Sequence, residues 1–318
     1  MATQEIAWPI KTRELHTQLY DSTGWNDFAF RADDIVISTW AKSGTTWTQQ
    51  IVSQLLFEGA EELEVAEMSP WLDLRVPPNE VKLAALEAQT HRRFIKTHLP
   101  VDALVYSPKA KYLYIGRDGC DVIWSMHNHW FNGNATIYAA INDTLGRVGP
   151  PFERPPASAR DYFLTWLERD GYPFTSANLW DNVRSWWAIR DLPNLLLLHF
   201  EDLKADMPRE IRRIADFLGV RIDPANWPAI LEHCSFDYMK AHATKSVPLG
   251  GAFWDGGAET FIHKGTNGRW RDELSAADCR LYEKTARREL GEECANWLAG
   301  GIRKAASFPA CEIGSGGR

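Results

Sequence analysis

Residues Asp34-Ile35-Val36-Ile37-Ser38 form a short β-branched apolar run, followed at once by the turn Trp40-Ala41-Lys42-Ser43-Gly44-Thr45-Thr46. From Trp47 the apolar residues recur at Ile51 and Leu55, with Val52 and Leu56 alongside, which predicts a helix starting near Thr45. A run without polar alternation is expected of a strand buried on both faces, and such strands belong to parallel sheets covered by helices. Strand, glycine-bearing turn and helix therefore constrain the fold more than any other stretch. Arg93–Thr97, closed by Leu99-Pro100, is a second strand candidate, and Lys111–Gly116 a third, leading through Arg117-Asp118-Gly119 into a helix from Asp121 to Trp130. Leu195–Phe200 is the fourth. Behind Pro208, Ile211, Ile214, Ala215 and Leu218 keep helical spacing until Gly219 stops the helix. Ser275-Ala276-Ala277-Asp278 resembles a capping box opening a last helix to Leu290. Alternation of this kind predicts an α/β fold, a single domain over residues 1–318 with its core at about 30–300, built on a mostly parallel central sheet flanked by helices.

Two segments break the rhythm. Residues 146–160 are rich in Pro and Gly and are expected on the surface, and residues 244–260 carry Gly250-Gly251 and Gly256-Gly257 around Phe253 and Trp254. Both are candidates for shaping a pocket. Trp186 and Trp187 are expected to serve as core and lid packing, and the tail 312–318 is expected to be disordered.

Composition narrows the function. The chain is 45% hydrophobic, enough for a sizeable core, and its formal charge is −7, which argues against nucleic acid as a general partner. An anionic ligand must then be held by a local cluster of cations. No apolar stretch approaches the ~20 residues of a membrane span, and the mixed charges of Met1–Asp21 do not read as a signal peptide. Five widely spaced cysteines without C-x-x-C indicate neither a disulfide framework nor a zinc site, so a reducing cytoplasm fits best. His127 and His129 are two apart and make a poor metal pair; no metal is expected.

The turn Lys42–Thr46 has the makings of an anion cradle. Unpaired N–H groups at a helix N-terminus attract phosphate, Gly44 permits close approach, Thr45 and Thr46 add hydroxyls, and Lys42 adds a full charge. It departs from the nucleotide-triphosphate loop, in which Lys follows the last Gly, because here Lys42 precedes Gly44. The competing interpretation is a capped turn whose threonines merely satisfy helix donors.

The P-loop-like strand–loop–helix resembles that of the cytosolic-type sulfotransferases, which use 3′-phosphoadenylyl sulfate (PAPS). Their loop reads P-K-S/A-G-T-T-W, and Lys42 to Trp47 match it, with Ala41 where Pro is usual. Lys96-Thr97-His98-Leu99-Pro100 is similar to the family's K-T/S-H-L-P, Arg117 and Ser125 to its 3′-phosphate pair, Phe200–Lys204 to Y-E-D-hydrophobic-K, and Lys264-Gly265-x-x-Gly268-x-Trp270 to R-K-G-x-x-G-D-W. The likeness runs from about Asp34 to Trp270.

The resemblance implies a sulfuryl transferase with PAPS as co-substrate and no metal. His98 would be the general base and Lys42 the stabiliser of the leaving oxygen, with Lys96 facing the same side. It places the 5′ end of the donor on Lys42, Ser43, Gly44, Thr45 and Thr46, adenine between Trp47, Phe236 and Phe261, and the 3′-phosphate on Arg117, Ser125, His263, Lys264 and Gly265. Phe200 stands where a Tyr helps bind the nucleotide. For His98, Lys96 and Arg117 the plain alternatives are a structural histidine, a solvated edge charge and a salt bridge with Asp118 or Asp121. The acceptor is expected to be small and largely apolar (a phenol, alcohol, steroid-like compound or glycolipid) and to meet loops 60–90, 130–180 and 244–260. Trp130, Phe131, Tyr138, Phe152 and Trp254 are candidates for its pocket.

Three departures stand out. His263 replaces an Arg, which removes a permanent fork of donors and makes the contact pH-dependent. Phe200 replaces the Tyr, and Arg269 replaces an Asp with no evident consequence. The dimer segment expected after the last motif is not recognisable in Arg271–Arg280, which argues against homodimerisation by the family's usual route. An ATP- or GTP-using phosphotransferase and a non-catalytic nucleotide-binding protein are the competing functions.

Overall fold

A computed structural model describes residues 6–169 and 178–304. Four strands, β1 (Ile35–Thr39), β2 (Phe94–Thr97), β3 (Lys111–Gly116) and β4 (Leu195–His199), pair in parallel in the order β2-β1-β3-β4. Alternate side chains enter two apolar clusters. Val36, Ile95, Tyr112 and Tyr114 join one, and Ile35, Ile37, Phe94, Leu113 and Ile115 join the other. Both faces are therefore covered, which is why these runs lack polar alternation.

Each strand ends in a loop that starts a helix or turn. Gly44 opens α1 (Thr45–Leu56), Asp118 caps α2 (Gly119–Phe131) by accepting from the N–H groups of Cys120 and Asp121, and His199 accepts from the N–H of Glu201. That last bond ends β4 one residue before the expected Phe200. The helix behind Pro208 is α3 (Met207–Leu218), stopped by Gly219 at φ 70°. The capping box of Ser275 and Asp278 opens α4 (Ala276–Leu290), and α5 (Glu292–Lys304) follows it.

Some expectations change. Residues 244–260 are not a plain loop: Ala243–Ser246, Pro248–Gly251 and Ala258–Phe261 form short helical turns. The 146–160 segment is mostly exposed, but Phe152, Pro155 and Ala159 are buried. Trp186 is core, stacked 5.4 Å from Tyr114, while Trp187 packs on Trp297 at 5.2 Å; neither lines the main cavity, so neither serves as a lid. The 312–318 tail and Cys311 lie outside the described residues. No helix among those residues is long and apolar enough to cross a membrane.

Candidate active site

In open parallel sheets the crevice at the carboxyl ends of the strands, where the chain turns to opposite sides, is the place for a ligand. Here β1 lies between β2 and β3, and the loops after β1, β2 and β3 and the helix that begins directly after β4 deliver Lys42, His98, Arg117 and Phe200 to one cavity of about 370 Å³. Of the residues singled out in the sequence, Lys42, Gly44, Thr45, Thr46, Trp47, Lys96, His98, Arg117, Ser125, Phe200, Phe236, Phe261, His263, Lys264 and Gly265 line it. Ser43 does not; it is buried behind the loop.

Lys42 is held from both ends. Its backbone sits at φ 68°, a left-handed conformation that costs a non-glycine residue energy, and its carbonyl accepts from Arg117 Nη1 at 2.9 Å. Its Nζ lies 3.4 Å from Nδ1 of His129 and 4.2 Å from the centre of the Phe261 ring. No side chain caps α1, and Thr45 Oγ1 instead meets Thr39 Oγ1 at 2.7 Å. The threonine-capped-turn alternative therefore does not hold, and Gly44, Thr45 and Thr46 at the start of α1 line the cavity. Gly44 is required, since its φ is +115° and a Cβ would meet the Phe200 ring at 2.9 Å. Burial, then Lys96 and Arg117, pushes the Lys42 ammonium down to about 7; burial pushes Lys96 down to about 8 against the pull of Asp73. Burial and, for Lys42, like-charged neighbours thus disfavour the charged forms of both lysines, and a bound anion would relieve that.

His98 is 2% exposed yet lines the cavity. Its Nδ1 lies 2.8 Å from the Thr39 carbonyl, which can only accept, so Nδ1 carries the proton and Nε2 keeps its lone pair. Burial, followed by Lys96 and Lys42, holds the imidazole well below its ordinary range and thus neutral. Asp73 fixes the surroundings: one oxygen accepts from the backbone N–H of His98 at 3.1 Å and from Trp71 Nε1 at 2.7 Å, the other from Trp25 Nε1 at 3.1 Å. Trp71 stands edge-on to His98 at 4.6 Å and beneath Lys96 Nζ at 4.6 Å, so Lys96 is no solvated edge charge.

A C-terminal segment closes the other end. Arg117 Nη2 donates to Asn267 Oδ1 at 2.5 Å, Asn267 in turn donates to the Glu201 carboxylate, and Asp121 accepts from the Gly268 N–H at 2.7 Å. The alternative of an Arg117 salt bridge to Asp118 or Asp121 is not formed, and Arg117 Nε is buried with no hydrogen-bond partner among the described residues. Lys204 donates to the Gly265 carbonyl at 2.7 Å; a Cβ on Gly265, at φ +60°, would strike the Phe236 ring at 2.6 Å. His263 accepts at Nδ1 from Arg269 Nη1 at 2.9 Å and is held low by burial, then by Arg269.

The opposite half of the cavity is apolar. Leu19, Tyr20, Leu74, Val76, Met126, Trp130, Ile137, Ile141, Phe253 and Trp254 line it, drawn largely from the loops expected to meet an acceptor. Trp254 donates to the His129 carbonyl at 3.1 Å and stitches that wall to α2. Phe131, Tyr138 and Phe152 do not line the cavity; Tyr138 and Phe152 pack together behind Trp130. Sequence reasoning missed Thr39, Asp73, His129, Asn267 and the Gln18–Tyr20 strip. It also missed Arg75, whose guanidinium donates to the carbonyls of Gln18, Ile141, Thr144 and Leu145 and braces the wall. Among the described residues no group of His, Cys, Asp and Glu could hold a metal.

Known proteins resemble the chain in sequence and in fold. The sulfotransferase domain family matches residues 32–293. A glycolipid sulfotransferase of Mycobacterium tuberculosis is 32% identical over 295 residues, covering 86% of this chain and 90% of that protein. Sulfotransferase 1C2 of Homo sapiens is 26% identical over 302 residues, 91% of this chain and 95% of that one. Among solved structures, a mouse sulfotransferase complexed with PAP has a TM-score of 0.67 at 20% identity, covering 89% and 93% of the two chains. Retinol dehydratase in complex with androsterone and PAP has a TM-score of 0.62 at 25% identity, covering 85% and 84%.

Proposed function

The chain belongs to the sulfotransferase family, and from that premise we propose that it moves a sulfuryl group from PAPS to a hydroxyl or amine of a small, largely apolar acceptor. The observation that carries this reading is one cavity with two halves. Three recessed cations, Lys42, Lys96 and Arg117, line it with no carboxylate ion-paired to them among the described residues, and the neutral imidazole of His98 shares it with an aromatic chamber. The orphaned Arg117 Nε, the uncapped start of α1 and the glycines at 44 and 265 fit a doubly phosphorylated adenosine.

PAPS supplies an activated sulfuryl group when bound. Attack by the acceptor oxygen on sulfur requires in-line placement, a proton acceptor and a counter-charge for the oxygen that departs. His98 Nε2 takes the acceptor's proton, because Thr39 has already claimed the other ring nitrogen. Lys42 gives its charge to the departing oxygen, and Lys96 adds a second cation on the same side. The aromatic walls exclude water from the reacting group. On this reading the acceptor is a phenol, an alcohol, a steroid-like compound or a glycolipid. The buried free thiols of Cys120, Cys234, Cys279 and Cys294 favour a reducing, cytoplasmic setting.

Titration with 3′-phosphoadenosine 5′-phosphate (PAP) and transfer of label from PAPS across a panel of phenols, alcohols, steroids and glycolipids test the proposal. His98→Ala is expected to lower turnover by about 100-fold or more while PAP binding stays within about threefold of the parent. Equal loss of binding would make His98 structural. Stabilisation by ATP–Mg²⁺ in preference to PAP would favour the phosphotransferase alternative.

A further inference from the structure

Arg269 is a cation that the activity above does not yet use. It begins the turn Arg269–Asp272, directly after Gly268, whose N–H is fastened to Asp121. Its guanidinium lies on the cavity wall, 5.5 Å from the Trp124 ring of α2 and close to the segment His263–Thr266. Its hydrogen bond goes to a neutral acceptor, Nδ1 of His263 at 2.9 Å, and no ion pair joins it to a carboxylate among the described residues. A guanidinium presents five donors, so one bond to an imidazole leaves the rest of the fork available. Arg269 lines the same cavity as Ser125, His263, Lys264 and Gly265, residues assigned above to the 3′-phosphate, and touches His263 directly.

Two of the three departures from the family pattern thus meet in space. Where the resemblance expects Arg there is His263, and where it expects Asp there is Arg269; the side chains touch. We propose that Arg269 is a donor-binding residue, its guanidinium supplying to the 3′-phosphate the fork that position 263 lacks, with His263 as the neutral prop that aims it. This rests on the PAPS reading and names a residue which that reading leaves out. It also changes the role of His263. A histidine that accepts from a guanidinium holds no charge of its own, so the 3′-phosphate contact here depends on a permanent cation and not on a titrating imidazole.

The test compares PAP with adenosine 5′-phosphate, which lacks the 3′-phosphate, by titration calorimetry on the full chain. Parent protein is expected to prefer PAP strongly. Arg269→Gln is expected to weaken PAP by about 10- to 100-fold, the loss of a charge-assisted bidentate contact, and to leave adenosine 5′-phosphate within about threefold. The unchanged mononucleotide is also the check that the variant is folded. The exchange His263→Arg with Arg269→Asp is expected to recover most of the lost PAP affinity. PAP affinity unchanged in Arg269→Gln, equal loss for both nucleotides, or an exchange variant as weak as Arg269→Gln would each overturn the assignment. A parent that binds the two nucleotides equally would instead overturn the PAPS reading itself.

Discussion

Lys42 shows how much of the chemistry is set by one residue's surroundings. A lysine fully exposed keeps its ordinary titration range, but this one is recessed with Lys96 and Arg117 as neighbours and falls to about 7. Lys96 is lowered too, to about 8, so near pH 8 neither ammonium is fully charged without an anion beside it. An anion in the cradle favours the charged forms and raises both ranges, so binding takes up protons, and affinity falls as the pH rises above about 7. Calorimetric titration of PAP at pH 8 in two buffers of different ionisation enthalpy is expected to show uptake of roughly one proton per site, reduced in Lys42→Met. Proton release, or uptake that Lys42→Met leaves untouched, would refute it. His98 does not interfere at that pH, because burial keeps it neutral well below its usual range.

Strands and helices were legible wherever local pattern and tertiary environment agree. β1, β3 and α3 were, because buried runs and a proline-to-glycine frame need no partner to be recognised. The helices Ala135–Asn142, Ala159–Glu168 and Leu179–Ala188 were not, since their aromatic residues are spaced by what they pack against and their caps, Asn134, Ser158 and Asn178, sit among other turn formers. α5 escaped for a related reason: Gly300 and Gly301 weaken its pattern, and its place is fixed by Trp297 lying over β3. That contact makes a sharp prediction at Gly116, the last residue of β3. A Cβ there would come within 2.4 Å of the Trp297 ring, and buried indole has little room to retreat. Gly116→Ala is expected to destabilise the fold by about 1–3 kcal/mol, read as a lower denaturant midpoint at unchanged m-value. Wild-type stability in this variant would mean that α5 does not pack on the sheet as described.

Across the whole molecule, the site divides into a part written in contiguous motifs and a part assembled only by folding. Lys42–Trp47, Lys96–His98, Arg117 and Lys264-Gly265 could be read because a few adjacent residues carry the chemistry. Thr39, Asp73, His129 and Arg75 could not, because each acts through a partner 25 to 87 positions away that only the packed chain supplies. The same assembly reconciles a net charge of −7 with the polyanionic ligand proposed above. On that proposal the outer field repels the ligand over long range, while the attraction resides in cations sunk below the surface. Salt weakens the first strongly and the second little, since exposed charges are screened and recessed ones much less so. The two effects oppose each other, so PAP affinity is expected to change by less than about threefold between about 0.05 and 0.5 M KCl. A loss of tenfold or more over that range, measured by equilibrium titration, would show that exposed charges hold the ligand and that the recessed trio of Lys42, Lys96 and Arg117 does not.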